Sequence, residues 1–365
     1  VPPGHGCCSI GRRANGHGAE TPMSTRTNTR ITLASRPDGM PSDENFRIET
    51  VPAPEPGDGE LLLKTLWLSL DPYMRGRMSD RKSYAEPLQI GDVITGGVVA
   101  EVVESRDDAW SVGTLVTAMS GWQQYAVAKP GSYRLFRVDP DNAPIQTAIG
   151  VTGMPGQTAY FGLLRVGKPH SGETVVVSAA SGAVGATVGQ IAKIKGCRVV
   201  GVAGGAEKCA WCTDELGFDA CVDYKSPTFA EDLAKACPDG VDVYFENVGG
   251  AVLEAVAPLL NSGARVPVCG YISMYNTPSD QPIEPPDAWL ERTLDDPPES
   301  RFFVVTEWID EFAEATAQLG AWIREGRLKY RETVVEGIEH APAAFRMLFT
   351  GENFGKLLVK VADPE

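Results

Sequence analysis

The chain is poor in the residues that metal and membrane chemistry require. Its 365 residues hold four histidines, His5, His17, His170 and His340, and these lie far apart. A catalytic zinc site takes about three protein ligands placed together, and no clustered Cys/His pattern or Gly-His-Glu supplies them. No metal is expected. His170, beside Pro169, reads as a turn residue and His340 as the residue before a late helix. No apolar run approaches the roughly 18 residues of a membrane span, so no membrane partner is expected. Positive charge is also scarce, with 33 lysines and arginines against 48 acids and a formal net charge of −15. Such a surface repels phosphate backbones, which argues against nucleic acid as a partner.

Residues 1–22 contain Cys7-Cys8, Arg12-Arg13 and several glycines but no apolar core, so they do not form a secretory signal. They read as a disordered extension outside the fold, with Met23-Ser24 as its natural start. The other six cysteines, at 197, 209, 212, 221, 237 and 269, fall in the later half. Cys209-x-x-Cys212 has a spacing known from redox and zinc sites, yet no second pair or nearby histidine completes four ligands. These read as buried structural thiols of a cytoplasmic protein.

Length predicts about two domains, and 43% hydrophobic residues can fill two cores. Residues 60–150 alternate short β-rich runs with turns, the strand candidates being 61–68, 93–103, 114–118 and 122–128. From 173 the texture changes to strand-helix alternation, with strands expected at 174–179, 197–203, 220–224, 241–245 and 265–269. That pattern predicts a parallel sheet with helices on both faces. Another helix follows 302–305, with Ile309, Phe312, Leu319, Trp322 and Ile323 on one face and Gly326 at its end. After Val334-Val335 the chain returns to the first domain through a helix at 343–349 and a strand at 356–361. The proline- and acid-rich stretch 278–298 reads as a loop bordering a site.

Residues 175–185, Val-Val-Val-Ser-Ala-Ala-Ser-Gly-Ala-Val-Gly, carry the most chemistry. A β-branched run breaks at small residues and passes into helical spacing, with Val184, Val188, Ile191 and Ala192 on one face and Gly196 as a stop. This is a strand, a dinucleotide phosphate loop and a helix, written Ala180-x-Gly182-x-x-Gly185 with alanine in the first glycine place. A pyrophosphate would lie on the helix N-terminus, near Gly182, Ala183, Val184 and Gly185, where free N–H groups favour anions. Small residues of this kind also serve plain helix-to-sheet packing. The second strand ends Gly201-Val-Ala-Gly-Gly205, without the carboxylate that commonly binds an NAD ribose.

Asp71-Pro-Tyr-Met-Arg75, Ala179-Ala-Ser-Gly-Ala-Val-Gly185, Glu246-Asn-Val-Gly-Gly250, Cys269-Gly-Tyr-Ile-Ser-Met-Tyr-Asn276 and Gly351-Glu-Asn-Phe-Gly-Lys356 occur in that order. Together they closely resemble the zinc-independent medium-chain dehydrogenase/reductases of the prostaglandin reductase and leukotriene hydroxydehydrogenase type, including bacterial curcumin reductases. The resemblance implies an α/β protein with a GroES-like β-rich catalytic domain, 23–150 and 331–365, interrupted by a doubly wound Rossmann domain, 151–330. It also implies NADPH-dependent reduction of the carbon–carbon double bond of small-molecule enones or enals by a homodimer.

By the same resemblance, Lys208 and Tyr224 bind the 2′-phosphate, although the segment between them is one residue longer than in the family. Asn247 lines the nicotinamide or its ribose, and Cys269, Gly270, Tyr271, Ile272, Ser273, Met274 and Tyr275 run along the cofactor. Phe303, Val304 and Val305 lie by the carboxamide, and Asn353 reaches back from the last part of the chain. Tyr275 is the first candidate for the donor that stabilises the enolate, directly or through a ribose hydroxyl, and Tyr73 the second, shaping the substrate site. Arg75 is expected in a structural ion pair. Each residue also has a plainer reading: Lys208 as a solvated helix lysine, Tyr224, Tyr73 and Phe303–Val305 as packing, Asn247 and Asn353 as turn residues. A quinone reductase on the same fold, and a nucleotide-binding sensor without turnover, are the other functions compatible with these residues.

Overall fold

The computed structural model describes residues 26–81, 83–132 and 135–365, so the extension expected at 1–22 lies outside the described residues. Strands β1 (Thr27–Leu33) and β2 (Phe46–Pro52) form an antiparallel ladder. Strand β3 (Leu61–Ser69) is buried on both faces, as befits the centre of a sheet. A one-turn helix, α1 (Tyr73–Arg77), follows, and then β4 (Val98–Ser105), β5 (Leu115–Ala118), β6 (Tyr125–Ala128) and β7 (Phe136–Arg137).

Helix α2 (Met154–Phe161) leads into the strand-helix alternation: β8 (Thr174–Ser178), α3 (Ala183–Ile194), β9 (Arg198–Ala203), α4 (Ala206–Asp214), β10 (Ala220–Asp223) and α5 (Phe229–Ala236). It continues through β11 (Val241–Phe245), α6 (Gly250–Val256), β12 (Leu260–Val268), α7 (Pro286–Thr293), β13 (Glu299–Phe302) and α8 (Phe312–Arg324). The chain closes with β14 (Glu332–Glu336), α9 (Ala341–Thr350) and β15 (Lys356–Lys360).

These strands make two main sheets. One is wholly parallel in the order β10-β9-β8-β11-β12-β13. That order reverses direction between β8 and β11, the switch point outside which doubly wound sheets bind nucleotides. The other runs β14-β15-β3-β4-β5-β7, with β6 also on β3. Strand β15 therefore lies beside β3 despite their distance in sequence. The fold class read from the sequence is the one observed.

Each sheet has its own core. Around the second sheet Trp122 is fully buried, stacked on Phe46 at 5.7 Å and edge-on to Phe345 of α9 at 5.6 Å. The same half holds a buried ion pair: Lys356 Nζ lies 3.1 Å from Asp71 Oδ1 and also donates to the carbonyls of Leu70 (2.7 Å) and Leu357 (3.0 Å). Ser69 Oγ donates to the other oxygen of Asp71. Such a pair adds little net stability, but removing one member strands a buried charge at a cost of about 3–5 kcal/mol.

Some boundaries differ from expectation. The strand expected at 93–103 begins at Val98, because the stretch before it bonds elsewhere, Val93 bridging to Thr32 and Ile94 N–H donating to Ile31 O at 3.0 Å. The strand expected at 265–269 starts five residues earlier, at Leu260.

Candidate active site

The phosphate loop follows β8 at the switch point. Ala179 takes a left-handed conformation, φ 51°, so the sharp turn falls one residue before the place a first glycine usually holds. Ala180 is free to keep extended pairing, its N–H donating to Val202 O at 2.9 Å. Its methyl is accommodated from across the sheet, since a Cβ on Gly201 of β9 would lie 2.9 Å from it. The glycine missing from the loop has a counterpart in the neighbouring strand. Gly185 is needed for contact, because a Cβ there would lie 2.3 Å from Ala179 O. Gly182 is the N-cap of the twelve-residue α3, and no side chain caps it. The first-turn N–H groups of Ala183, Val184 and Gly185 therefore have no side-chain cap, and an uncapped helix start of this kind favours anions.

At the far end of this crevice Lys208 stands in the first turn of α4. Its Nζ donates to Gly351 O and Asn353 O, both at 2.7 Å. Burial lowers its pKa, assisted by Lys225 and opposed by Glu207. Tyr224 lies just past β10 and is 44% exposed. A Cβ on Gly204 would meet its ring at 2.8 Å, and one on Gly351 would lie 3.8 Å from its hydroxyl. Lys208 and Tyr224 thus converge on one edge, with Gly204 and Gly351 leaving space between. Asn353 contributes its carbonyl there; its side-chain amide turns back to Gly355 O at 3.0 Å. Gly355 N–H donates to Ser181 O at 3.2 Å, joining this loop to the phosphate loop.

The other wall is built from the ends of β11 and β12. Glu246 is fully buried and its Oε1 accepts from Ser178 Oγ (3.0 Å) and Val248 N–H (2.6 Å). Desolvation pushes its carboxyl pKa upward against those hydrogen bonds. Ser178 Oγ in turn accepts from Asn247 N–H at 2.8 Å, and Asn247 Nδ2 donates to Ser178 O at 2.8 Å. Asn247 is thereby pinned across the switch point. Gly249 and Gly250 have positive φ, 75° and 54°, a turn that brings this loop under the next one. Above it, Cys269 and Gly270 N–H donate to Glu246 O, Ile272 N–H to Asn247 O, and Ser273 N–H to Val248 O. Met274 closes the short turn with an N–H bond to Tyr271 O at 2.9 Å.

Tyr275 ends this segment, edge-on to Tyr271 with ring centroids 5.4 Å apart. Its hydroxyl lies over Gly270, where a Cβ would be only 2.7 Å away. Desolvation, then Cys269, raises its pKa, so the phenol keeps its proton at neutral pH. Burial pushes the neighbouring Cys269 thiol up to about 12, which leaves it inert. Strand β13 occupies Glu299–Phe302, so residues 303–305 lie just past it. Phe303 and Val305 are buried, Phe303 packing edge-on to Phe245 at 6.1 Å, and Val304 is half-buried just past the strand.

Tyr73 opens α1 and packs against the core of the second sheet. Arg75 does not form the ion pair expected from the sequence. Its guanidinium donates to Asn276 Oδ1 and to the carbonyls of Pro37 and Gly39 instead. Sequence reasoning also missed Ser178 and Glu246, although both lie inside motifs it quoted.

These residues suit a dinucleotide bearing a 2′-phosphate: an uncapped helix N-terminus, a lysine with a spare N–H, and glycines where a Cβ would fill the cradle. Among the described residues no group of three or more His, Cys, Asp or Glu side chains is placed to hold a metal ion.

Residues 29–135 match the family described as the N-terminal domain of oxidoreductase, and 183–293 the family described as zinc-binding dehydrogenase. The chain is 49% identical over 341 residues to an NADPH-dependent curcumin reductase of Escherichia coli, covering 92% of this chain and 97% of that one. It is 44% identical over 329 residues to prostaglandin reductase 1 of Oryctolagus cuniculus, covering 89% and 91%. A crystal structure of CurA in complex with NADPH from Vibrio vulnificus superposes with a TM-score of 0.86 at 48% identity, covering 92% and 100%.

Proposed function

This chain belongs to the medium-chain dehydrogenase/reductases, with curcumin reductase and prostaglandin reductase relatives over most of its length, and from that premise we propose an NADPH-dependent reductase of the carbon–carbon double bond of α,β-unsaturated ketones and aldehydes that works without zinc. The observation that carries this reading is the crevice at the β8/β11 switch point, flanked by an anion-binding helix N-terminus and by a neutral tyrosine hydroxyl, in a chain 48% identical to a protein solved with NADPH. When bound, NADPH supplies a hydride for the β-carbon of the substrate.

The chain's own residues have modest tasks. The N–H groups of Ala183, Val184 and Gly185 take the pyrophosphate, and Lys208 with Tyr224 takes the 2′-phosphate. Asn247 and the backbone of 269–275 hold the nicotinamide end, with 303–305 beyond it and Asn353 at the back of the loop. As negative charge develops on the carbonyl oxygen, the Tyr275 O–H stabilises it directly or through a ribose hydroxyl. Tyr73 shapes the substrate side. A proton then adds to the α-carbon and the carbonyl is restored.

With an enone and NADPH carrying deuterium on the transferable face, the label is expected at the β-carbon of a saturated ketone by mass spectrometry and NMR. An allylic alcohol as product would mean carbonyl reduction, and turnover confined to quinones would move the chain to the other enzyme reading.

Two further parts of this reading concern assembly and location. The parallel sheet ends on β13, which pairs only with β12 among the described residues, and Phe302 is exposed there. An open edge can join a second copy by two-fold symmetry. Light scattering is expected to give the mass of two chains; the mass of one would refute the dimer. The six described cysteines are all free thiols, as a cytoplasmic location requires. Among the described residues no helix is long and apolar enough to cross a membrane.

A further inference from the structure

We propose that Arg75 is a positioning residue for the reduction: through Asn276 it fixes the loop that carries Tyr275 and so sets where that phenol points. The proposal rests on the reductase reading above. Arg75 belongs to α1, in the half built on the second sheet, and is 3% exposed. A buried guanidinium is costly unless its donors are used. Burial draws its pKa down to about 10, with Arg81 adding to the effect and Asp38 opposing it.

Its donors are used across two halves of the molecule. Nε donates to Asn276 Oδ1 at 3.0 Å, and Nη2 to Gly39 O at 2.9 Å and Pro37 O at 3.1 Å. Residues 37 and 39 precede β2, whereas Asn276 follows Tyr275 on the loop after β12. One rigid planar fork thus ties both segments to α1, the helix that also carries Tyr73. Lysine, with a single ammonium on a flexible stem, does not reproduce that geometry.

The clamp acts on a segment already restrained from its other side. Before Tyr275, the N–H groups of Ile272 and Ser273 are bonded to Asn247 O and Val248 O, and the phenol bears on Gly270. After it, Arg81 donates to Gln281 O at 2.9 Å and to Pro278 O, and Ser279 N–H donates to Asp38 Oδ1 at 2.8 Å. Next to Tyr275, its own N–H bonds Ile272 O at 3.3 Å within the turn and Asn276 Nδ2 reaches Met40 Sδ at 3.5 Å, so the Arg75–Asn276 bond is the adjacent tie made by a charged donor from α1. A displacement of about 1 Å at a positioning contact costs on the order of a hundredfold in rate, so a slack loop lowers turnover without changing which residues are present.

Asn276→Ala removes the acceptor and leaves Arg75 its carbonyl partners, so the fold is retained. The expected result is a kcat on an enone lowered about tenfold or more, with the Kd of NADPH held within about threefold. In a Tyr275→Phe background the same change lowers kcat less than about twofold, because the group being positioned is gone. Backbone amides of 272–281 exchange hydrogen faster in Asn276→Ala than in the parent. Equal losses of kcat in both backgrounds overturn the proposal, as does an unchanged kcat with unchanged exchange. If the parent chain reduces no enone, the reductase reading falls separately. The exchange comparison then decides: faster exchange over 272–281 supports the clamp, and none overturns it.

Discussion

Tyr275→Phe is expected to lower kcat on an enone by roughly tenfold to a thousandfold, the upper figure being what loss of one oxyanion donor typically costs. The change removes one oxygen and leaves the ring against Tyr271 and Gly270. Because burial raises the phenol's pKa, the donating O–H form persists throughout the neutral range, and the loss should be the same from about pH 6 to 8. Steady-state kinetics with deuterated NADPH provide the check. An unchanged kcat, with an isotope effect showing that hydride transfer limits turnover, would remove Tyr275 from the chemistry while leaving the reductase reading in place.

Lys208→Ala is expected to reduce kcat/KM for NADPH by roughly ten- to a hundredfold, about 1–3 kcal/mol for one charge-assisted hydrogen bond. An ammonium has three N–H donors, and two are directed to Gly351 O and Asn353 O. The third is available to a phosphate. Alanine also frees those two carbonyls between the halves of the molecule, so turnover with NADH should fall as well, though less. The ratio of the two losses is the measurement. Equal losses would assign Lys208 to the contact between the loop and α4 alone.

The parallel sheet was legible because its strands are short apolar runs broken at regular intervals by helices with one apolar face. Helix α2 was not, for a physical reason: Pro155, Gly156, Gln157, Thr158, Ala159 and Phe161 are all buried, so no polar face exists to give a helical period. Strand β13, Glu-Ser-Arg-Phe, is mostly exposed at the sheet edge and has no apolar pattern to read. No strand is therefore expected there from the sequence, and only the buried residues that follow it stand out.

Within the site, local chemistry was readable and long-range chemistry was not. The uncapped helix start at Gly182 and the absence of an acid after β9 follow from neighbouring residues. Arg75 is different: its amide partner lies about 200 residues away, so nothing near it in the sequence shows that it bonds an amide and two carbonyls rather than a carboxylate. Asn353 illustrates a mixed outcome, since its backbone faces Lys208 while its side chain completes a turn.

The pairing of β15 with β3 governs the order in which the molecule can be assembled. The strands of the parallel sheet lie between residues 174 and 302, so that sheet has all its strand partners as soon as this stretch has been synthesised, with Leu319 and Trp322 of α8 joining its core soon after. Strand β6 pairs with Leu61–Lys64 early, but the end of β3, Trp67–Ser69, must wait for residues 358–360, almost 300 positions later. At about 5–20 residues per second, its edge stays open for many seconds on the ribosome, and loop closure of that length is slow in any refolding experiment. This order of synthesis favours early closure of the parallel-sheet half, with β15 completing the other sheet last.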